Sequence, residues 1–422
     1  MAYIEVDSGF VSKSDLRLMK RNASAIATGF LQLQPSDIFA VVYDAMKPTV
    51  DYSEFNPKDP MQADLAAIPY KSLMARLLTE KAYDLGVSDV RDAPIFDVRR
   101  PFTTQPECLP EILKKIEGAT ASVDLLSGYA QELGVLRKPV VFSLIKTGIL
   151  GHIPGPDKTI LTGPAINVNY EKAEEEMKAL EEKLMGKPEE TFKITTTTGD
   201  GRSGNYELVI ECPGDSNEVS GRPDRNAPPS TKRRWANVPT LELFRYPRTE
   251  IVCPYARTKA NGKIMINLYV TQIGQPPYPL VLVFKKGIVK DYYFVDPDDV
   301  MAPLQLKDIS GKGYEFLGRL REFFRQDPNA RTFAEDADGF NEKARVFYRG
   351  KPVRTVESEK VKWVKIEEEK WRVSHIAVGD NSAFGGSIKS DVHKDMLYTA
   401  WRRVAEKDGE EIPIVGYPLN DN

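Results

Sequence analysis

The chain is predicted to fold as an α/β N-terminal domain followed by an α+β, mainly antiparallel-sheet C-terminal domain, and three patterns carry that prediction. Helix-period and strand-like segments alternate over roughly the first 165 residues, the pattern of a parallel sheet with crossover helices. After Lys187-Pro188 the apolar period changes to two. The later strands then follow one another through short turns, which suits antiparallel pairing. The domains are drawn accordingly as 1–187 and 188–422.

In residues 15–33, Leu16, Met19, Ala23, Ile26, Phe30 and Leu33 recur at three- and four-residue steps, so they share one helix face. Gln34-Pro35-Ser36 turns the chain into Ile38–Tyr43, a near-continuous apolar run of the buried, parallel type. Leu73, Met74, Leu77 and Leu78 mark a helix over 68–84 that ends near Gly86, and helices are expected at 110–117 and 123–133. Val140–Ile145 reads as another buried strand. Residues 170–185 form an amphipathic helix, with Tyr170, Ala173, Met177, Leu180 and Leu184 as its apolar stripe. Phe192–Thr197 and Tyr206–Ile210 flank Gly199-Asp200-Gly201 as a hairpin. Residues 213–234 have no apolar rhythm and many Pro, Asp, Asn and Arg, so a long mobile loop is expected there. Strands follow at 263–272, 279–285, 287–295 and Val361–Val364, with a helix at 312–325.

Composition narrows the function. Of 422 residues, 58 are basic and 61 acidic, and a net charge of −3 gives no global field for nucleic acid or anionic membrane. The three cysteines, Cys108, Cys212 and Cys253, are far apart and form no CxxC pair, which argues against both a disulfide framework and a thiolate zinc site. No secretory signal and no run of 18 apolar residues is visible, so a cytoplasmic protein acting on small molecules is expected.

Histidine is scarce: His152, His375 and His393 are the whole complement. Two of them lie 18 positions apart, in Ser374-His375-Ile376-Ala377-Val378-Gly379-Asp380-Asn381 and Ser390-Asp391-Val392-His393-Lys394-Asp395. Imidazole and carboxylate together suit a borderline divalent metal. The His393-x-Asp395 spacing fits a strand, on which alternate side chains share a face.

Two further carboxylates stand in Asn237-Val238-Pro239-Thr240-Leu241-Glu242 and Asn329-Ala330-Arg331-Thr332-Phe333-Ala334-Glu335. With these segments the chain resembles the thermophilic metallo-aminopeptidase family of aminopeptidase T. There an Asn-x-Pro-x-x-Glu segment, an Ala-Glu step, a His-Ile-Ala-x-Gly segment and a His-x-Asp segment supply metal ligands. The resemblance implies that Glu242, Glu335, His375, His393 and Asp395 hold one or two divalent ions (zinc, cobalt or manganese), in a chain with a tendency to form homodimers. It implies hydrolysis of an amide or peptide bond in a small-molecule or short-peptide substrate, with Glu242 or Glu335 moving the proton. Two departures stand out. Asp336-Ala337-Asp338 stands where the family has Gly-Ile-Gly, and Asn381–Gly386 lacks the tyrosine that follows the first histidine, so that electrophile is either missing or moved, with Tyr398 as the candidate. The chain is also similar, more distantly, to 2,5-dihydroxypyridine dioxygenases, which implies as an alternative that His375, His393 and Asp395 hold one Fe(II) for ring cleavage.

The remaining candidates have plainer roles. His152 reads as a turn residue, Glu367-Glu368-Glu369 as a wet face, and Lys232-Arg233-Arg234 as too short a basic run for nucleic acid. Asp380 and Asp391 are expected to orient imidazoles or to serve turns, and Gly385-Gly386 to permit close backbone approach or form a tight turn.

Overall fold

The computed structural model describes residues 11–46, 50–55, 63–95, 109–126, 134–153, 161–163, 166–187, 189–199, 204–230, 232–238, 242–245, 259–271, 273–340, 347–348, 351–352, 373–380, 388–400 and 402–414. It divides into two compact units, residues 1–170 with 221–240, and residues 171–220 with 241–422. The architecture is mixed: a parallel α/β region together with antiparallel sheets and helices. Among the described residues no helix is long and apolar enough to cross a membrane.

The first unit begins with helix α1 (Lys13–Ser24), capped by the Ser12 hydroxyl accepting from the Asp15 N–H and continuing as a π-helical turn, Ala25–Phe30. Its parallel sheet contains β1 (Ile38–Asp44), β2 (Asp89–Ile95), β3 (Ala121–Leu125), β4 (Ile149–His152) and, returning late in the chain, Trp235–Asn237 (β8), in the order β2-β1-β3-β4-β8. Helices α2 (Ala63–Asp84), α3 (Leu109–Ile116) and α4 (Gly134–Thr147) connect these strands. Ala40 and Val42 of β1 share a core with Ile112 and Ile116 of α3 and Val140 and Leu144 of α4.

Two expectations fail here. The run Val140–Ile145 is the interior of α4, not a strand, and Phe142 within it is 62% exposed. A short apolar run carries no period of its own, so length and flanks decide. The helix expected at 123–133 starts instead in strand β3, and residues 127–133 lie outside the described set. Ser122 and Asp124 are polar yet buried, because the Ser122 hydroxyl donates to the Ile149 carbonyl and Asp124 meets His152. His152 is thus the buried end of β4 rather than a turn residue.

The second unit opens with α5 (Tyr170–Leu184), the expected amphipathic helix. A seven-stranded antiparallel sheet follows, built from β5 (Thr191–Gly199), β6 (Asn205–Pro213), β10 (Lys259–Ile266), β11 (Leu280–Lys285), β12 (Ile288–Phe294), β18 (Arg402–Lys407) and β19 (Glu410–Pro413). The expected β5–β6 hairpin is present in register Thr191↔Pro213 to Gly199↔Asn205. A five-stranded sheet has the order β17-β16-β13-β9-β7, from β7 (Asn217–Ser220), β9 (Glu242–Arg245), β13 (Phe333–Gly339), β16 (Ser374–Gly379) and β17 (His393–Tyr398). Helix α6 (Gly311–Phe323) is capped by Ser310. A two-residue pair, β14 (Phe347–Tyr348) and β15 (Lys351–Pro352), completes the described strands.

The stretch 213–234, expected to be one long mobile loop, contains strand β7 and a 3-10 turn at Lys232–Arg234. Arg225 also ties it down, donating to both oxygens of Asp37 at 2.8 and 2.9 Å and to the Leu31 and Gln32 carbonyls. Arg225 and Asp37 compensate each other's charge, a partnership between distant residues that no local period records. The Val361–Val364, Glu367–Glu369 and Gly385-Gly386 assignments lie outside the described residues.

Candidate metal centre

Strand alternation gives each face of the five-stranded sheet a different chemistry. On β17, His393 and Asp395 project to one face, and the intervening Lys394 goes to the other, over the Phe323 ring. Burial lowers the Lys394 ammonium to about 8 against the opposing pull of Asp395. In the β16–β17 register His375 lies opposite Leu397 and Ala377 opposite Asp395, so His375 shares the face of His393 and Asp395. On β13 a register shift between Phe333 and Glu335 sets Glu335 opposite Ala377. Without that extra residue the side chain would turn to the reverse face, so the bulge is what aims Glu335.

The result is a cluster of four donors. His375 Nε2 lies 2.7 Å from Glu335 Oε1 and 4.0 Å from Asp395 Oδ1. His393 Nε2 lies 2.8 Å from Asp395 Oδ1 and 3.9 Å from Glu335 Oε1. Donor atoms of Glu335, His393 and Asp395 all fall within 4.8 Å of one another. The Glu335 and His375 side chains are each 3% exposed, whereas His393 and Asp395 are 28% and 23% exposed, so the cluster is open on the β17 side.

These residues fit a metal ion on four counts. The His393 Nδ1–H donates to the Asp380 carbonyl, which fixes the neutral tautomer with its Nε2 lone pair facing the Asp395 carboxylate. Two lone pairs at that distance repel unless a proton or a cation lies between them. Glu335 Oε2 is buried with no hydrogen-bond partner among the described residues. An ion with bonds of about 2.1 Å has ligand–ligand edges of about 3 Å and diagonals of about 4.2 Å, the range spanned by these donors. Charge agrees too, because two carboxylates and two neutral imidazoles balance one divalent ion.

Without an ion, protons take that place. Burial alone would depress the His393 imidazolium, but the Asp395 and Glu335 charges outweigh it and push the group up to about 10. His375 is likewise raised against burial, by Glu335 first and then Asp395. Asp395 is driven well below the usual carboxylate range: burial opposes this, and the two imidazoles overcome it.

The structure therefore brings Glu335, His375, His393 and Asp395 together. Glu242 lies on β9 of the same sheet, opposite Gly339, with its side chain outside the described set. Gly339 is four residues beyond Glu335, about 13 Å along a regular strand. Tyr398 is not at the cluster. It occupies the reverse face of β17, is fully buried, and its hydroxyl accepts from Arg403 at 2.7 Å. Asp380 acts through its carbonyl, and its carboxylate accepts from the Ser390 N–H at 3.2 Å. The Asp391 N–H donates to Asp327, a carboxylate that also receives the Ser390 hydroxyl and the Asn329 N–H. Asp327 had no motif to announce it.

No family model and no curated protein matches the sequence. Solved structures do match the fold. One is 2,5-dihydroxypyridine dioxygenase from Pseudomonas putida, with a TM-score of 0.57 and 12% identity, covering 97% of this chain and 99% of that one. Another is wild-type AmpT from Thermus thermophilus, with a TM-score of 0.51 and 14% identity, covering 95% and 98%. These are the two families whose motifs the sequence resembles, and at such identity what the chain shares with both over nearly its whole length is the fold.

Proposed function

We propose that this chain is a metal-dependent enzyme that holds one divalent ion at Glu335, His375, His393 and Asp395 and opens a dihydroxylated heteroaromatic ring with dioxygen. The observation that carries this reading is the convergence of two imidazoles and two carboxylates on a single point, with a carboxylate charge of −2 between them. Within this set His375, His393 and Asp395 are two histidines and one carboxylate that, with positions left open, suit non-haem Fe(II) and oxygen, and Glu335 is an additional donor. The ion, when bound, supplies Lewis acidity and a redox couple. The chain's own residues do the rest. Asp380 holds the His393 ring by its Nδ1–H, the partly exposed His393–Asp395 edge admits the substrate, and Glu335 can hold a proton released by a substrate hydroxyl on Oε2.

Protein purified without oxygen should contain one iron per chain and consume oxygen with a dihydroxypyridine. Two ions per chain, or oxygen-independent release of amines from aminoacyl amides, would replace this reading with amide hydrolysis. The buried Glu335 Oε2, with no hydrogen-bond partner among the described residues, supports that second reading equally, as the atom that would pass a proton to a leaving amine. In that case Glu242 would belong to a second ion, bound with zinc, cobalt or manganese. A cytoplasmic homodimer acting on a small molecule belongs to the same proposal, and light scattering of the purified protein tests the dimer.

A further inference from the structure

Behind the donor cluster, on the reverse face of the same three strands, lies one guanidinium. Arg403 of β18 is fully buried. It pairs with Asp336, and with Asp338 through Nε–Oδ1 at 2.8 Å and Nη2–Oδ2 at 3.0 Å. Its Nη1 donates to the Tyr398 hydroxyl at 2.7 Å and to Thr196 Oγ1 at 2.6 Å. The Ser374 hydroxyl closes the network by donating to Asp338 at 2.6 Å.

Apart from Thr196 of β5, each member of this network is a near neighbour of a donor. Asp336 follows Glu335, Ser374 precedes His375, and Tyr398 is three residues past Asp395. Every strand that supplies a donor to the front face thus joins the Arg403 network on the back, β13 and β17 directly and β16 through the Ser374–Asp338 bond. A buried ion-pair network adds little net stability, since desolvation offsets its attraction, and its better-attested use is to fix register. Register matters here because a one-residue slip moves every side chain of a strand to the opposite face.

We infer that Arg403 is a positioning residue for the metal cluster, holding β13, β16 and β17 in the single register that gathers their four donors. The inference rests on the metal reading above. It is tested by metal titration of the full chain, using Mn(II) and Zn(II) against a chromophoric chelator, with thermal unfolding of the metal-free protein measured in parallel. Tyr398→Phe removes one hydroxyl and keeps the shape, and should weaken metal binding about tenfold while the metal-free fold survives. Arg403→Lys keeps the charge and loses the planar fork, and should weaken it about 10- to 100-fold, the usual scale for groups that orient ligands. If Arg403→Lys does not fold, Tyr398→Phe alone decides. Variants that melt earlier but bind the ion as tightly as the parent would make the network structural only and overturn the inference. A parent chain that binds no ion overturns the metal reading, and this inference with it.

Discussion

Gly379 ends β16 opposite His393 in the β16–β17 register, with φ of +104°. An alanine Cβ there would lie 2.0 Å from the Val392 carbonyl oxygen and 2.9 Å from its carbon. Real contacts do not fall below 3.0 Å, so the Val392 peptide must retreat by about 1 Å, and His393 is the next residue along. A non-glycine residue with positive φ costs about 1–2 kcal/mol on its own. Adding the displaced backbone, Gly379→Ala should cost about 2–4 kcal/mol. For a unit of this size that means a melting temperature lower by roughly 5–15 °C. Because His393 moves with the strand, metal affinity should fall about 10- to 100-fold. The control is Gly409→Ala in the β18–β19 turn, where φ is +81° and nothing lies within 4 Å of the added carbon. It should cost about 1–2 kcal/mol and leave metal binding alone. Thermal unfolding and chelator competition on both variants supply the numbers. If Gly379→Ala behaves like Gly409→Ala in both assays, the claim that this backbone contact sets the place of His393 is wrong.

Three other outcomes are expected. His393→Ala should abolish stoichiometric binding of the ion, and metal analysis showing parent-like stoichiometry would remove His393 from the site. Since folding raises the His393 pKa from about 6.5 to about 10, the protonated cluster stabilises metal-free protein fully below about pH 6.5 and loses that contribution as pH climbs through about 10. Melting temperature of metal-free protein should therefore fall across pH 7–10 more steeply than that of loaded protein, and loading at pH 7 should release protons measurable in weakly buffered solution; a loading that releases none contradicts the cluster's protonation. Arg225→Ala removes a guanidinium that donates to both Asp37 oxygens and should cost about 1.5–3 kcal/mol by denaturant unfolding. Burial raises the Asp37 carboxyl, but Arg225, the Gln34 N–H and the Thr120 hydroxyl together hold it below its ordinary value, so this stability is present above about pH 4, is lost on further acidification, and its acid limb should flatten in the variant.

What was legible in the sequence follows from how far each signal reaches. Residues 170–185 and the Phe192–Ile210 hairpin carry their own period and turn, and both form. The Val140–Ile145 run has no period to separate helix from strand, and the buried Ser122 and Asp124 hid β3, because their partners Ile149 and His152 are more than 25 residues away. At the site, the His393-x-Asp395 spacing announced a shared strand face and the structure has it. Two features were invisible. The bulge that aims Glu335 is a property of pairing with β16, and Arg403, in Trp401-Arg402-Arg403-Val404, looks like any surface arginine until Asp336 and Asp338 are seen to need a cation.

That need changes the meaning of Asp336-Ala337-Asp338. Read along the chain, these carboxylates look like a disturbance beside Glu335; read on a strand, period two puts them on the other side of the sheet from it. The two faces then carry different charge tasks. The front joins two carboxylates to two imidazoles and is neutral once a divalent ion, or two protons, is added. The back joins two carboxylates to one guanidinium and hydroxyls from Ser374 and Tyr398. Slipping β13 by one residue in either direction would turn Asp336 and Asp338 to the imidazole face, and would leave Arg403 facing Glu335 and Ala337 in one case or Ala337 and Gly339 in the other. Neither face would then be satisfied, because the front would hold carboxylates at the wrong places for the imidazoles and the back would bury a guanidinium with one carboxylate or none from β13. The native register is the one in which both faces are satisfied together, so the acidic run beside Glu335 selects the register that the cluster needs.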